Sequence, residues 1–165
     1  MADLANTYGE AVRRLARRPL TVRELRDRLL RSGHAAGEVE TVLDRLLDEG
    51  SLNDRVLASH YMSVRMERLG HGPERLVRDL VGRGVDPAVA REALADGLGQ
   101  GDLDPEGVLR REIHRRLPGD MITPREHRRV YNAMLRAGFE PLAIRRAMDR
   151  YRQDSDSSAS EYPQE

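Results

Sequence analysis

Three glycines constrain what this chain can fold into. Gly33, Gly84 and Gly138 are spaced 51 and 54 residues apart, and the same apolar pattern surrounds each. Eight residues before them stand Leu25, Leu76 and Val130; four before, Leu29, Leu80 and Met134; three before, Leu30, Val81 and Leu135. Six residues after come Val39, Ala90 and Ile144, and ten after, Leu43, Leu94 and Met148. The offset just after each glycine, with His34, Val85 and Phe139, is the one of these six that is not wholly apolar. Spacings of three and four are those of a helix face, and no segment alternates as a half-buried strand would. Each unit therefore reads as helix, short link, helix, glycine turn, helix, with the glycine at a left-handed helix C-terminus.

The helix boundaries are written in side chains that satisfy exposed N–H groups. Thr21-Val-Arg-Glu24 and Thr123-Pro-Arg-Glu126 both read as capping boxes. Asp86-Pro87, Asp104-Pro105, Gly72-Pro73 and Thr123-Pro124 place proline at a first helical position, where its missing N–H costs nothing. The sequence predicts an all-α fold of nine helices, near 4–18, 21–32, 37–49, 53–69, 73–83, 87–96, 105–117, 124–137 and 141–152. Three helices per unit bury little alone, so neighbouring units are expected to lean on one another as an elongated curved rod. The predicted divisions are repeat 1 over 1–50, repeat 2 over 51–96, a flexible glycine-rich linker over 97–104, repeat 3 over 105–152 and a disordered acidic tail over 153–165.

Composition removes most chemistry. The 165 residues contain no Cys, which excludes disulfides, thiolate metal sites and a cysteine nucleophile. All 28 basic residues are Arg, so no lysine-dependent nucleotide loop exists. The excess of Arg reads either as a guanidinium grip for phosphates and carboxylates or as the codon bias of a G+C-rich genome. Gly97-Leu-Gly-Gln-Gly101 resembles a dinucleotide loop only superficially, because a helix precedes it. His34, His60, His71, His114 and His127 are scattered and make no metal-ligand pair, and Ser residues concentrate in the tail. Neither catalysis, a metal nor a cofactor is expected. No run reaches the roughly 18 apolar residues of a membrane span, and Met1-Ala2-Asp3-Leu4 opens no secretory signal, so the expectation is a soluble cytoplasmic monomer without membrane contact.

The formal net charge is zero, yet charge is segregated along the chain. Residues 1–35 carry eight Arg against four acids, residues 36–54 are net −5, and 55–95 are net +2. Residues 96–109 are net −4, residues 110–150 hold eleven Arg against five acids, and the remainder is net −3. Arg clusters on repeated helices suit a polyanion or an acidic protein surface, and equally suit solvated faces with i,i+4 ion pairs. A single Phe and no Trp disfavour single-strand binding by base stacking.

Residues 9–151 resemble a known family. Leu52-Asn53-Asp54-Arg55, Ala58, Tyr61, Arg65, Gly72-Pro73-Glu74-Arg75-Leu76, Asp79-Leu80 and Arg83-Gly84-Val85 are similar to the central unit of the bacterial RecX family. Arg18-Pro19 through Gly33 resembles its opening unit, and Ala137-Gly138-Phe139 with Ala143 to Ala147 its third. Leu57 and His71 stand where that family usually carries aromatic residues. The resemblance implies three tandem three-helix units that lodge in the groove of the RecA filament and modulate it, most often by inhibiting ATP hydrolysis, strand exchange and co-protease activity. Single- or double-stranded DNA is a further implied ligand. On this reading the partner-binding residues are Tyr61, Arg65, Arg68 and Arg75 in the middle unit and Arg115, Arg116, Arg128 and Arg129 in the third. Core packing is the competing role for Tyr61. A helix-turn-helix DNA reader would need a basic third helix, which only Arg145, Arg146 and Arg150 provide. A general helical-repeat adaptor is the remaining alternative.

Overall fold

The computed structural model describes residues 2–117 and 123–159, with side chains over 3–117 and 123–154. Among the described residues there are nine α-helices and no strand. They are α1 (Ala2–Arg17), α2 (Val22–Arg31), α3 (Ala36–Asp48), α4 (Asp54–Leu69), α5 (Pro73–Gly82), α6 (Pro87–Gln100), α7 (Pro105–Arg116), α8 (Pro124–Ala137) and α9 (Pro141–Ala159). Both threonine signals become complete capping boxes. Thr21 and Thr123 sit in extended conformation, accept the N–H of Glu24 and Glu126, and have their own N–H groups bonded by those carboxylates.

The chain forms two compact units, one of residues 1–61 and 79–96, the other of 62–78 and 97–165. In the first, α1, α2 and α3 pack mutually around Ala11, Leu25, Leu29, Val39, Leu43 and Leu46, with Leu20 and Leu52 closing the ends. In the second, α7, α8 and α9 pack mutually, and Ile113, Val130, Met134, Ile144 and Met148 are buried. The repeat positions eight and four residues before each glycine are buried in all three repeats. The position three before is not: Leu30 is 41% and Leu135 37% exposed, and Val81 is half-buried. One residue further along a helix turns the side chain by about 100°, off the centre of the buried stripe.

The repeat glycines are left-handed turns, with φ of +89° at Gly33, +94° at Gly84 and +91° at Gly138. Two of them receive the start of another helix. Within the first unit, Thr21 Oγ1 donates to the Arg83 carbonyl at 2.8 Å and the Arg23 guanidinium donates to the Gly82 carbonyl at 2.6 Å. Arg83 returns two bonds to the Glu24 carboxylate, at 2.9 and 3.0 Å. Within the second unit, the N–H groups of Gly72 and Glu74 donate to the carbonyls of Ala137 and Gly138 at 2.7 and 3.2 Å. The same economy operates in both joints: unpaired N–H groups or first-turn side chains of one helix satisfy unpaired carbonyls at the end of another.

The first half of the expected flexible linker over 97–104 is instead helix, since α6 continues through Gln100. Gly101 then leaves the helix at φ +80°, and the Leu103 N–H reaches back to the Gly97 carbonyl at 3.0 Å. Leu103 is buried against Gly97, where a Cβ would lie 2.7 Å from Leu103 Cδ1. Glycine therefore permits a tight helix ending here rather than a loose link. Asp104 caps α7 by accepting the Gly107 N–H at 2.8 Å. The expected disordered tail over 153–165 is helical as far as Ala159, because α9 runs on past Tyr151; residues 160–165 lie outside the described residues.

Repeat 1 also encloses a polar knot. Thr7 is fully buried, donates to the Asp3 carbonyl, and lies 2.8 Å from His34 Nδ1. His34 Nε2 is 2.8 Å from Glu10 Oε2, and the other Glu10 oxygen accepts from Ser32 Oγ at 2.9 Å and from Arg14. Bonds from His34 and Arg14 hold the Glu10 carboxyl down at about 2. Because its folded pKa lies below the ordinary 4.5, Glu10 stabilises the fold above that value, and the stabilisation is lost as pH falls through about 2. Glu10→Gln is expected to cost about 1 kcal/mol near neutrality, after solvent screening, and to flatten stability against pH between pH 5 and 2. Urea unfolding at several pH values reads both effects, and an unchanged pH slope in Glu10→Gln would contradict the assignment.

Candidate partner-binding surface

The arginines separate into those the fold engages and those it leaves to solvent. Arg26 grips Glu40 with two bonds, at 2.7 and 2.9 Å. Arg55 bridges α4 to Glu92 and Asp96 of α6, Arg45 pairs with Glu49, and Arg111 with Glu67. Arg83, half-buried, holds Glu24 and lies over the Tyr61 ring at 5.4 Å. Part of the basic charge of repeat 1 and α4 is thus matched by acids that lie in other blocks of the sequence.

The eight expected partner-binding residues occupy different settings. Tyr61 belongs to the first unit, is half-buried, and its hydroxyl lies 3.5 Å from Asp79 Oδ2. Arg65 and Arg68 are exposed on α4 in the second unit. Arg75, in the first turn of α5, is half-buried because its stem packs on Gly138. Arg115 and Arg116 converge on a single carboxylate, Glu112, with Arg115 at 2.8 Å. Burial raises the Glu112 pKa, but the two guanidiniums outweigh it and hold the carboxyl below its usual range. Arg128 and Arg129 are exposed on α8, and no carboxylate among the described residues lies within ion-pair distance of either.

Those two arginines are part of a larger basic surface that α8 and α9 build together. A groove of about 560 Å³ is lined by His127, Arg128 and Tyr131 from α8 and by Arg145, Asp149 and Arg152 from α9. An adjoining hollow of about 390 Å³ is lined by Arg125, Arg128, Arg129 and Asn132. Helical spacing explains the convergence: 128 and 131, like 145, 149 and 152, recur at three or four residues and share a face. Among the described residues, Arg125, Arg128, Arg129, Arg145 and Arg152 have no carboxylate within ion-pair distance. Guanidinium forks held on two rigid helices are suited to phosphate or carboxylate oxygens. Sequence reasoning singled out Arg128 and Arg129, named Arg145 only for a helix-turn-helix role, and missed Tyr131 and Arg152 as companions on this face. The seven-residue spacing of Arg145 and Arg152 was the available signal; which helix they face is a tertiary matter.

Among the described residues, no group of three or more His, Asp or Glu side chains is placed to hold a metal ion. No helix among the described residues is long and apolar enough to cross a membrane. An all-α array of three-helix repeats, closed by left-handed glycines and carrying arginine surfaces, defines a helical repeat protein.

Comparison with known proteins makes the family specific. The family model for RecX, first three-helix domain, matches residues 8–46. The chain is 36% identical over 137 residues to the Regulatory protein RecX of Halorhodospira halophila, covering 83% of each chain. It is 33% identical over 145 residues to that of Chromohalobacter salexigens, covering 87% of this chain and 91% of the relative. The crystal structure of RecX from Lactobacillus salivarius matches with a TM-score of 0.76 over 90% of this chain and 96% of that one, at 19% identity. The chain belongs to the RecX family of regulatory proteins.

Proposed function

We propose that this protein is a non-enzymatic, cytoplasmic regulator that binds the RecA–DNA filament and inhibits RecA ATP hydrolysis, strand exchange and co-protease activity. The reading rests on family membership, and the observation that supports a contact role is the set of unpaired arginines on α8 and α9. A filament offers two anionic surfaces, acidic protein side chains and DNA phosphates, and a guanidinium can bond either. Several weak contacts linked through one chain gain avidity over any one of them. The α8–α9 surface is assigned to the filament, with DNA phosphates as part of what it meets.

The deciding experiment measures RecA ATP hydrolysis on single-stranded DNA as this protein is added. The expected result is a saturable fall in hydrolysis at stoichiometries well below one protein per RecA protomer. Unchanged hydrolysis at saturating protein would overturn the proposed activity. Tight binding to naked DNA, with no effect on hydrolysis, would favour a DNA-binding role for α8 and α9 instead.

A further inference from the structure

Both joints inside the chain obey one rule: the start of one repeat's second helix fills the glycine turn that ends another repeat's second helix. The fit is close. A Cβ at Gly84 would lie 2.7 Å from Arg23 Cβ, and one at Gly138 would lie 2.5 Å from Arg75 Cβ. Each contact sets the positive end of one helix against the negative end of another. Exposure follows occupancy, for Gly138 is buried and Gly84 half-buried.

Gly33 has the same left-handed turn and the same place in its repeat, yet among the described residues nothing lies within 4 Å of where its Cβ would stand. Arg31, Ser32 and Gly33 are all exposed, as is Leu30 at 41%. The chain also carries an unused counterpart. Thr123-Pro124-Arg125-Glu126 repeats the Thr21-Val22-Arg23-Glu24 pattern that fills the Gly84 turn. The two caps share their backbone, with φ −71° and ψ 152° at Thr123 against φ −73° and ψ 162° at Thr21. Thr21 donates its hydroxyl to the Arg83 carbonyl, whereas the Thr123 hydroxyl meets no such carbonyl among the described residues and donates to its own Glu126 at 2.7 Å. Arg125 is exposed and has no ion-pair partner among the described residues.

We propose that these two ends meet between copies: the Thr123–Glu126 end of one molecule docks on the Arg31–Gly33 turn of a second. Thr123 would donate to the Ser32 carbonyl and Arg125 to the Arg31 carbonyl, as Thr21 and Arg23 do at Arg83 and Gly82. The contact is weaker than its internal template, because Ser32 replaces Arg83 and removes the two bonds to a glutamate. A dilute solution therefore holds monomers, and association grows with local concentration. The contact is heterologous, one surface against a different one, so it extends copies head to tail. It stands independently of the filament reading, and its test contains no RecA or DNA.

Sedimentation of the unaltered chain over about a hundredfold concentration range tests the contact. Its average mass should rise with concentration, and Arg125→Glu should abolish the rise. Gly33→Ala is the second variant, because its added methyl would enter the space that Arg125 fills, just as a Cβ at Gly84 would stand 2.7 Å from Arg23 Cβ; it too should abolish the rise. Val56→Ala, at a site 64% exposed on α4, is the control and should leave the rise intact. A single monomer mass at every concentration overturns the proposal. So does a rise in mass that either Arg125→Glu or Gly33→Ala leaves intact.

Discussion

Gly138→Ala is expected to lower stability by about 3 kcal/mol, whereas Gly33→Ala costs only about 1 kcal/mol, although the two glycines hold the same repeat position. Both substitutions force an L-residue into the left-handed region, at φ +91° and +89°, and that strain is common to them. The difference is what surrounds the added methyl. At Gly138 it would stand 2.5 Å from both the Cβ and the backbone nitrogen of Arg75, so the joint with α5 must open. At Gly33 it meets open space. Opening the Gly138 joint also threatens the bonds from Gly72 and Glu74 to the α8 carbonyls. Thermal unfolding should show a loss near 10 °C for Gly138→Ala and a few degrees for Gly33→Ala. Equal losses would mean that the turn conformation alone, and not the joint, sets the cost.

The second large effect concerns binding. Replacing Arg128 and Arg129 together by Gln is expected to weaken filament affinity by roughly 10- to 100-fold, on the scale of one or two charge-assisted hydrogen bonds. The same change at Arg115 and Arg116 should weaken it by less than about threefold. The asymmetry follows from what each pair already does. Arg115 and Arg116 share the Glu112 carboxylate, which neutralises part of their charge and holds their guanidiniums along α7. Arg128 and Arg129 stand beside Arg125 on an exposed face where, among the described residues, no carboxylate lies within ion-pair distance of them. Salt dependence adds a check, since losing phosphate contacts lowers the slope of log affinity against log salt by about one per contact. Helical circular dichroism should be unchanged in both variants. Equal losses from the two pairs would remove the distinction drawn from Glu112, and no loss from either would return these arginines to a solvated role.

Much of the secondary structure was readable because its causes are local. Thr21 and Thr123 announce helix starts by satisfying N–H groups three residues away, and proline at 73, 87, 105, 124 and 141 does the same by lacking one. Predicted helices near 73–83 and 124–137 match α5 and α8 to within a residue. Gly97 and Gly101 misled for an instructive reason. Local composition reads as flexible, but Gly97 exists for close contact with Leu103 and Gly101 for a left-handed exit, and both needs depend on where Leu103 returns. The proposed contact surface was half readable. Arg128 and Arg129 stood out as a basic cluster, but their pairing with Arg145 and Arg152 requires knowing that α8 and α9 share a groove.

What the sequence determined alone is therefore the repeat, the helices, the exclusion of thiol and lysine chemistry, and the alternation of basic and acidic stretches. These follow from spacing along the chain and from residue chemistry. Tertiary structure decided which arginines remain available. Arg26, Arg55, Arg83 and Arg111 find carboxylates 14 to 59 residues away in sequence, at distances no local rule reaches. It also decided that three equivalent glycines have three environments: one buried, one half-buried and one exposed. Helix ends carry unpaired N–H and carbonyl groups that must be satisfied, and only packing shows which of them another helix has met.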